Sequence, residues 1–202
     1  EAHDLVVRAW TETGPFAFEG KHYHFEYVNV WPRPYQDPHP PIWCPSLGST
    51  ETIEWAAHPD RKYVYAQNYS AFTNVCKFLD QYREVAATRY GYAASSDQIA
   101  WTAPVYVAET DEQAVAEATE HMETLFNKLL YLPFEKLFPP GYLSMQSFKR
   151  VAAHKKNIMG GAKMETLMET GVVIVGSPET VRRKIAECHE VLGFGTFVAL
   201  LH

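Results

Sequence analysis

The sequence predicts an α/β fold in which helices cover a parallel sheet. Short apolar runs alternate along the chain with amphipathic segments of about ten or more residues. Helical crossovers of that length connect parallel strands, whereas antiparallel neighbours need only a tight turn. The chain has 202 residues, 47% of them hydrophobic, which is enough for one core, and we expect a single domain over residues 1–202.

The N-terminal part is predicted to be a connection that precedes the sheet. Residues 4–10 place apolar side chains at helical spacing, and residues 16–27 alternate enough for a hairpin that turns at Gly20. Residues 31–41 hold five prolines, which excludes a helix or a central strand. We therefore expect this last segment to run extended across a surface and to deliver the chain to the first strand of the sheet.

Strands and helices then alternate. Strands are predicted where short apolar runs occur, and helices where apolar residues recur every three or four positions. Thr110 is a natural N-cap, and acidic residues follow it in the first helical turn. The predicted strands are 42–45, 62–67, 99–107, 172–175 and 197–201. The predicted helices are 49–58, 73–90, 111–130 and 178–192.

Residues 131–171 interrupt this alternation. The segment contains Pro133, Pro139, Pro140 and a pair of glycines at 160–161, with a polar helical piece near 147–156. Connections of this length in a compact domain are usually functional or disordered. Two interpretations stay open from the residues alone, a lid over the mouth of a barrel and a surface excursion without a role in the site.

Composition and charge exclude several classes of function. The formal net charge is −6, and a nucleic-acid-binding protein would normally carry a basic face. No apolar run is long enough to span a bilayer, and the acidic first residues do not resemble a signal peptide. The three cysteines are widely spaced and show no zinc-binding pattern, so we expect no metal site and a reducing, cytoplasmic compartment.

The most informative stretch is PIWCPSLGSTETIEWAA at residues 41–57. A buried strand is predicted to end near Gly48, whose lack of a side chain permits a tight turn and the close approach of a ligand. Ser49 is a natural N-cap, and Thr52 is the N3 residue of the same turn. The start of a helix suits a phosphate, but an N-cap without any ligand would have the same spacing, and both interpretations stay open.

A second helix start, Gly176 to Thr180, has a similar pattern. Ser177 is a natural N-cap and Pro178 occupies the first helical position, which is the ordinary way to begin a helix. We therefore favour a structural cap there.

Three segments in order resemble the bacterial luciferase family. The first is FEGKHYHF at 18–25 together with WPRPYQDPHPPIW at 31–43, the second is GSTETIEWAA at 48–57, and the third is VVIVGSPETVRRKIAECHEVLGFGTFVALL at 172–201. The resemblance implies a partial (β/α)8 TIM barrel, with this chain supplying roughly the fifth to eighth βα units and a lid-like excursion at about 131–171. Both ends of the chain fall inside predicted elements, so we expect it to be part of a longer protein.

The resemblance also implies a cofactor site. The phosphate of a flavin is held at the turn after the fifth strand, which corresponds to Gly48, Ser49 and Thr52, with Thr50 contributing its backbone. Tyr65 and Gln67, at the end of the next strand, are expected to flank the flavin ring. The catalytic histidine of the family comes from strands that are absent from this chain, so the catalytic residues stay unknown.

The implied activity is that of a flavin-dependent monooxygenase that uses reduced FMN and O2 on a small organic substrate. A separate flavin reductase would supply the reduced cofactor. Two alternatives stay open, an oxidoreductase of the same superfamily that uses the deazaflavin F420 and a non-catalytic, flavin-binding or subunit-like protein. Because a partial barrel exposes strand edges, we expect a homo-oligomer.

Overall fold

The computed structural model describes residues 1–130 and 161–201, together with Met145 and Lys149. The chain divides into two compact units, Glu1–Ile42 and Trp43–His202. The single domain over 1–202 stays a prediction.

The first unit contains one helix and one hairpin. Helix α1 (Ala2–Thr11) precedes strands β1 (Phe16–Glu19) and β2 (His24–Val28), which pair antiparallel as the alternation of residues 16–27 predicts. The Glu1 carboxylate accepts hydrogen bonds of 2.8–2.9 Å from three consecutive backbone N–H groups in the hairpin turn, at residues 21–23. The turn that the sequence predicts at Gly20 is therefore held by a charged acceptor.

Arg33 fixes the proline-rich segment of this unit. Its guanidinium donates to the backbone carbonyls of Trp10, Thr11 and Glu12 at 3.1–3.2 Å and to the Thr13 hydroxyl at 3.0 Å. Carbonyls in the last turn of a helix have no intrahelical partner, and a cation there also complements the helix dipole. Arg33 thus caps the C-terminal end of α1.

The second unit is a parallel sheet of five strands covered by helices. The strands are β3 (Trp43–Ser46), β4 (Val64–Asn68), β5 (Ile99–Val107), β6 (Ile174–Gly176) and β7 (Thr196–Leu201). The helices are α2 (Thr50–Ala56), α3 (Phe72–Thr88), α4 (Asp111–Thr124), α5 (Met164–Glu169) and α6 (Pro178–Leu192). Every pair of neighbouring strands in this sheet is parallel, as the helical crossovers predict.

Strand β5 is the centre of the sheet. Its residues 100–102 pair with both β4 and β7, so those two strands lie on opposite edges of β5. Val105 pairs with both β6 and β7, so β6 follows β4 along the same edge. Pro104 lies between the stretch paired with β4 and the stretch paired with β6, and a residue without an N–H donor is tolerated at such a gap in the ladder.

Two apolar layers fill the core. On the face that meets α3, Tyr65 stacks on Tyr82 with ring centroids 5.2 Å apart, and Trp101 contacts Phe197 at 5.1 Å. The second layer joins α4, α5 and β6 through small and flexible side chains, namely Ala114, Ala118, Met122, Met164, Leu167, Val173 and Val175. These packed faces explain why the chain follows its helical and strand periodicities over most of the second unit.

Apart from the ends of elements, which shift by up to two residues, the structure differs from the sequence prediction mainly in two places. The helix predicted over 111–130 changes to a π-helical turn at Leu125–Leu129. Apolar periodicity does not reveal this change, because it does not show which backbone groups are hydrogen-bonded. Within the predicted excursion, α5 is a core helix, since Met164 and Leu167 are buried against α4. The remainder of the excursion up to residue 160 lies outside the described residues except for Met145 and Lys149, so a lid there stays a prediction.

Candidate functional site

The turn between β3 and α2 carries the predicted phosphate-binding residues. Gly48 is buried, its N–H donates to the Ser46 hydroxyl at 3.0 Å, and its φ of +94° lies in the region that favours glycine. Ser49 is the N-cap of α2, and its hydroxyl accepts from the Thr52 N–H at 3.1 Å. The sequence prediction of a tight turn followed at once by a capped helix is therefore confirmed at this position.

Gly48 is required by packing as well as by its backbone. A Cβ at this position would lie 2.2–2.5 Å from three ring atoms of Phe78 in α3. Carbon atoms in contact are normally about 3.5–4.0 Å apart, so no larger residue fits here without moving the ring. This contact explains Gly48 without any ligand, and sequence reasoning missed Phe78 because it is 30 positions away on another element.

The hydroxyl groups of the turn form a pair. Ser49 donates its hydroxyl proton to the Thr52 oxygen at 2.8 Å, so the Thr52 hydroxyl keeps its own proton for donation to an anion. Ser49, Thr50 and Thr52 are half-buried, whereas Glu51 is exposed. The turn thus presents two adjacent hydroxyls at the positive end of a helix, an arrangement that fits a phosphate.

Tyr65 and Gln67 lie in the core beneath this turn. Both side chains are fully buried on the face of β4 that meets α3, where Tyr65 stacks on Tyr82. Gln67 pairs in register with Ser46, and its side-chain nitrogen donates to the Ser46 carbonyl at 2.9 Å and to the Tyr65 hydroxyl at 2.8 Å. The structure brings these two residues close to the turn through Ser46, while their contact with a flavin ring stays a prediction.

The second helix start is filled by a side chain of the protein itself. The Asp111 carboxylate accepts from the Ser177 N–H at 2.6 Å and from the Thr180 hydroxyl at 2.9 Å. The Ser177 N–H, as the largest contribution, holds the pKa of Asp111 below its ordinary value of 3.8. Asp111 occupies the place of an external anion there, in agreement with the structural role that the sequence favours for Ser177.

Among the described residues, the other titratable groups with shifted pKa values do not suggest a second site for chemistry. Burial raises the pKa of Cys44 and of Cys188 to about 11, which makes both thiols poor nucleophiles at neutral pH. Burial also raises the pKa of Tyr82. In the part of the chain that the structure describes, no group of His, Cys, Asp and Glu side chains could hold a metal ion, and no helix is long and apolar enough to cross a membrane.

Comparisons with solved structures identify proteins of the same fold. The chain is similar to the monooxygenase RslO1 from Streptomyces bottropensis, with a TM-score of 0.64 and 23% identity over 98% of this chain and 51% of that protein. It is equally similar to the FMN-bound oxygenating constituent of 3,6-diketocamphane monooxygenase from Pseudomonas putida, with a TM-score of 0.64 and 22% identity over 100% of this chain and 56% of that protein.

A third similar structure is an enzyme with a different cofactor. It is the coenzyme F420-dependent tetrahydromethanopterin reductase from Methanopyrus kandleri, with a TM-score of 0.62 and 16% identity over 98% of this chain and 55% of that protein. The chain therefore spans about half the length of these structures. The predicted α/β fold, with a parallel sheet that forms part of a barrel, is confirmed.

The profile of the luciferase-like monooxygenases matches residues 1–194, which is nearly the whole chain. That match covers the first two segments on which the sequence resemblance depends, and the third as far as residue 194. The chain belongs to the luciferase-like monooxygenase family.

Proposed function

We propose that this chain is the flavin-phosphate-binding part of a flavin-dependent monooxygenase that acts on a small organic substrate with reduced FMN and O2. Its membership of the luciferase-like monooxygenase family supports the class of reaction. The observation that carries the cofactor assignment is the pair of adjacent hydroxyls, Ser49 and Thr52, at the N-terminal turn of α2. When bound, reduced flavin supplies the electrons that activate O2.

The chain's own contribution is binding and orientation of the cofactor. In the proposed site, the Thr52 hydroxyl donates to a phosphate oxygen, and the backbone of Ser49 and Thr50 adds the favourable field of the helix start. Gly48 keeps the turn close to the sheet because its φ and its contact with Phe78 admit no side chain. Tyr65 and Gln67 complete the proposed cofactor-binding set from the adjacent strand.

An F420-dependent oxidoreductase is the second candidate. The specific observation in its favour is the similarity to F420-dependent enzymes, including a secondary alcohol dehydrogenase with a TM-score of 0.60 and 14% identity. A phosphate turn is compatible with either cofactor. Adding FMN or F420 in turn to the complete natural protein, and recording the absorbance spectrum of the bound fraction, distinguishes them.

The test of the phosphate site compares two helix starts of the same chain. Ser49→Ala with Thr52→Ala removes both hydroxyls of the proposed site. Ser177→Ala with Thr180→Ala removes the corresponding hydroxyls at the other helix start, where Asp111 accepts from the Ser177 N–H and the Thr180 hydroxyl. Hydrogen bonds to charged groups contribute about 1.5–3 kcal/mol, so we expect the first pair of changes to weaken FMN binding about tenfold or more. The second pair should leave FMN affinity within about twofold.

Riboflavin, which lacks the phosphate, is the matching ligand control. Affinities are measured by fluorescence titration of the complete natural protein, and the first variant should lose affinity for FMN but not for riboflavin. An unchanged FMN affinity in the first variant would show that Ser49 and Thr52 do not bind the phosphate. We further propose a separate flavin reductase as partner on the basis of the family, a homo-oligomer because a partial barrel exposes strand edges, and a cytoplasmic location because the three cysteines are widely spaced.

A further inference from the structure

Gln67 is a buried polar residue whose side-chain amide is held in one orientation by two hydrogen bonds. The side chain is fully buried in β4, and its nitrogen donates two hydrogen bonds, to the Ser46 carbonyl and the Tyr65 hydroxyl. The Ser46 carbonyl can only accept, so the amide nitrogen must face it and the amide cannot be flipped. The orientation of the Gln67 side chain is therefore fixed by its neighbours.

That orientation has an energetic cost. The Gln67 side-chain oxygen finds no hydrogen-bond partner among the residues that the structure describes. A buried acceptor without a partner is unfavourable, and an apolar side chain of similar size, such as Met, would avoid the penalty. The unpaired oxygen of Gln67 is thus less favourable for stability than an apolar side chain would be. The favourable contribution of this amide is the pair of hydrogen bonds that its nitrogen donates.

The hydrogen bond from Gln67 connects it, through Ser46, to the turn that carries the proposed phosphate site. Gln67 holds the carbonyl of Ser46, and the hydroxyl of Ser46 in turn accepts from the Gly48 N–H at 3.0 Å. Gly48 immediately precedes Ser49, whose hydroxyl caps α2. On its other side the amide is held by the Tyr65 hydroxyl, and the Tyr65 ring is stacked on Tyr82 of the core.

We propose that Gln67 is a positioning residue, which acts through Ser46 to hold the turn at Gly48 and Ser49 in the geometry that binds the cofactor phosphate. This inference rests on the proposed phosphate site and deepens it. In this role Gln67 affects the binding of the phosphate without touching it. A change at Gln67 should therefore weaken ligands that carry the phosphate and not those that lack it, whereas loss of a contact with the flavin ring would weaken both.

The test uses Gln67→Met in the complete natural protein, with FMN and riboflavin as probes. We expect FMN affinity to fall about tenfold, riboflavin affinity to stay within about twofold and the melting temperature to change by no more than about 4 °C. The matched control is Gln98→Met, since Gln98 also donates its amide to two tyrosines, the buried Tyr82 at 3.1 Å and the half-buried Tyr92 at 3.5 Å, but not to Ser46. Its FMN to riboflavin ratio should not change.

Each result has a distinct meaning. If Gln67→Met lowers both affinities equally, or neither, the positioning role is wrong. If Ser49→Ala with Thr52→Ala leaves the FMN to riboflavin ratio unchanged, the phosphate site itself is wrong, which is a separate failure. Should Gln67→Met not fold, Ser46→Ala tests the same link, because it removes the bond to the Gly48 N–H, and an unchanged ratio in that variant would overturn the inference.

Discussion

Replacing Gly48 by alanine should lower the free energy of unfolding far more than the same replacement normally does at a glycine with positive φ. The added Cβ would meet the Phe78 ring at 2.2–2.5 Å, and Phe78 is only 8% exposed in the core face of α3. Overpacking of this kind costs about 1–3 kcal/mol, and the left-handed backbone adds about 1–2 kcal/mol for alanine. We expect a total loss of about 2–5 kcal/mol in the free energy of unfolding.

Gly91 supplies the matched control. Its φ is +70°, but a Cβ built there meets nothing within 4 Å. Gly91→Ala therefore measures the backbone cost alone, and we expect about 1 kcal/mol. Urea denaturation of both variants, followed by far-UV circular dichroism, gives the two free energies of unfolding on the same scale.

The difference between the two variants isolates the contact with Phe78. Adding Phe78→Ala to Gly48→Ala should cost at least about 1 kcal/mol less than the sum of the two single changes, because the ring that causes the clash is gone. Equal losses for Gly48→Ala and Gly91→Ala, or strict additivity in the double variant, would refute the packing explanation of this turn.

Three further predictions concern groups outside the turn. Arg33→Met should remove the cap of α1 and increase proteolysis within residues 31–41, because four donated hydrogen bonds of about 1 kcal/mol each are lost, and limited digestion with mass spectrometry measures the effect. Asp111 has a lowered pKa, so its stabilising contact is present above pH 3.8 and is lost as the pH falls through the folded pKa. Asp111→Asn should therefore lower the melting temperature most above pH 3.8 and less as the pH falls through the folded pKa, and a loss that does not change with pH would contradict this. Cys44 and Cys188, with pKa values of about 11 instead of 9.0, should react with iodoacetamide at pH 7.5 at least about 100-fold more slowly than in the unfolded chain, and equal rates before and after denaturation would show that burial does not protect them.

The helices and strands can be predicted from local patterns, because each depends on apolar periodicity and on the residues at its two ends. The helix over residues 178–192 begins with Ser and Pro and is followed by Gly193, and the structure gives Pro178–Leu192. Strand boundaries shifted by up to two residues, as at β4 and β6, because the ends of parallel strands depend on the length of their partners. The core helix α5 was not predicted, since its six residues are too few to show a period.

The site could be predicted in outline only. Ser49 and Thr52 show a capping pattern in the sequence, and the structure places them as expected. The residues that hold the turn, Phe78 and Ser46, act through contacts between elements, which no local pattern contains. Asp111 is likewise 66 positions from Ser177, so the sequence could favour a structural role for that helix start but could not name its partner.

The double pairing of β5 has a consequence for the order in which the sheet can form. The edge of β5 that pairs with β7 joins Ala100 to Thr196, 96 positions apart (196 − 100), whereas the edge that pairs with β4 joins Tyr65 to Ile99, 34 positions apart (99 − 65). Distant pairings close large loops and form slowly. During synthesis residues 99–102 of β5 are therefore covered early by β4, whereas the opposite edge stays open until residues 196–201 emerge, and an open edge is exposed to pairing with a wrong strand.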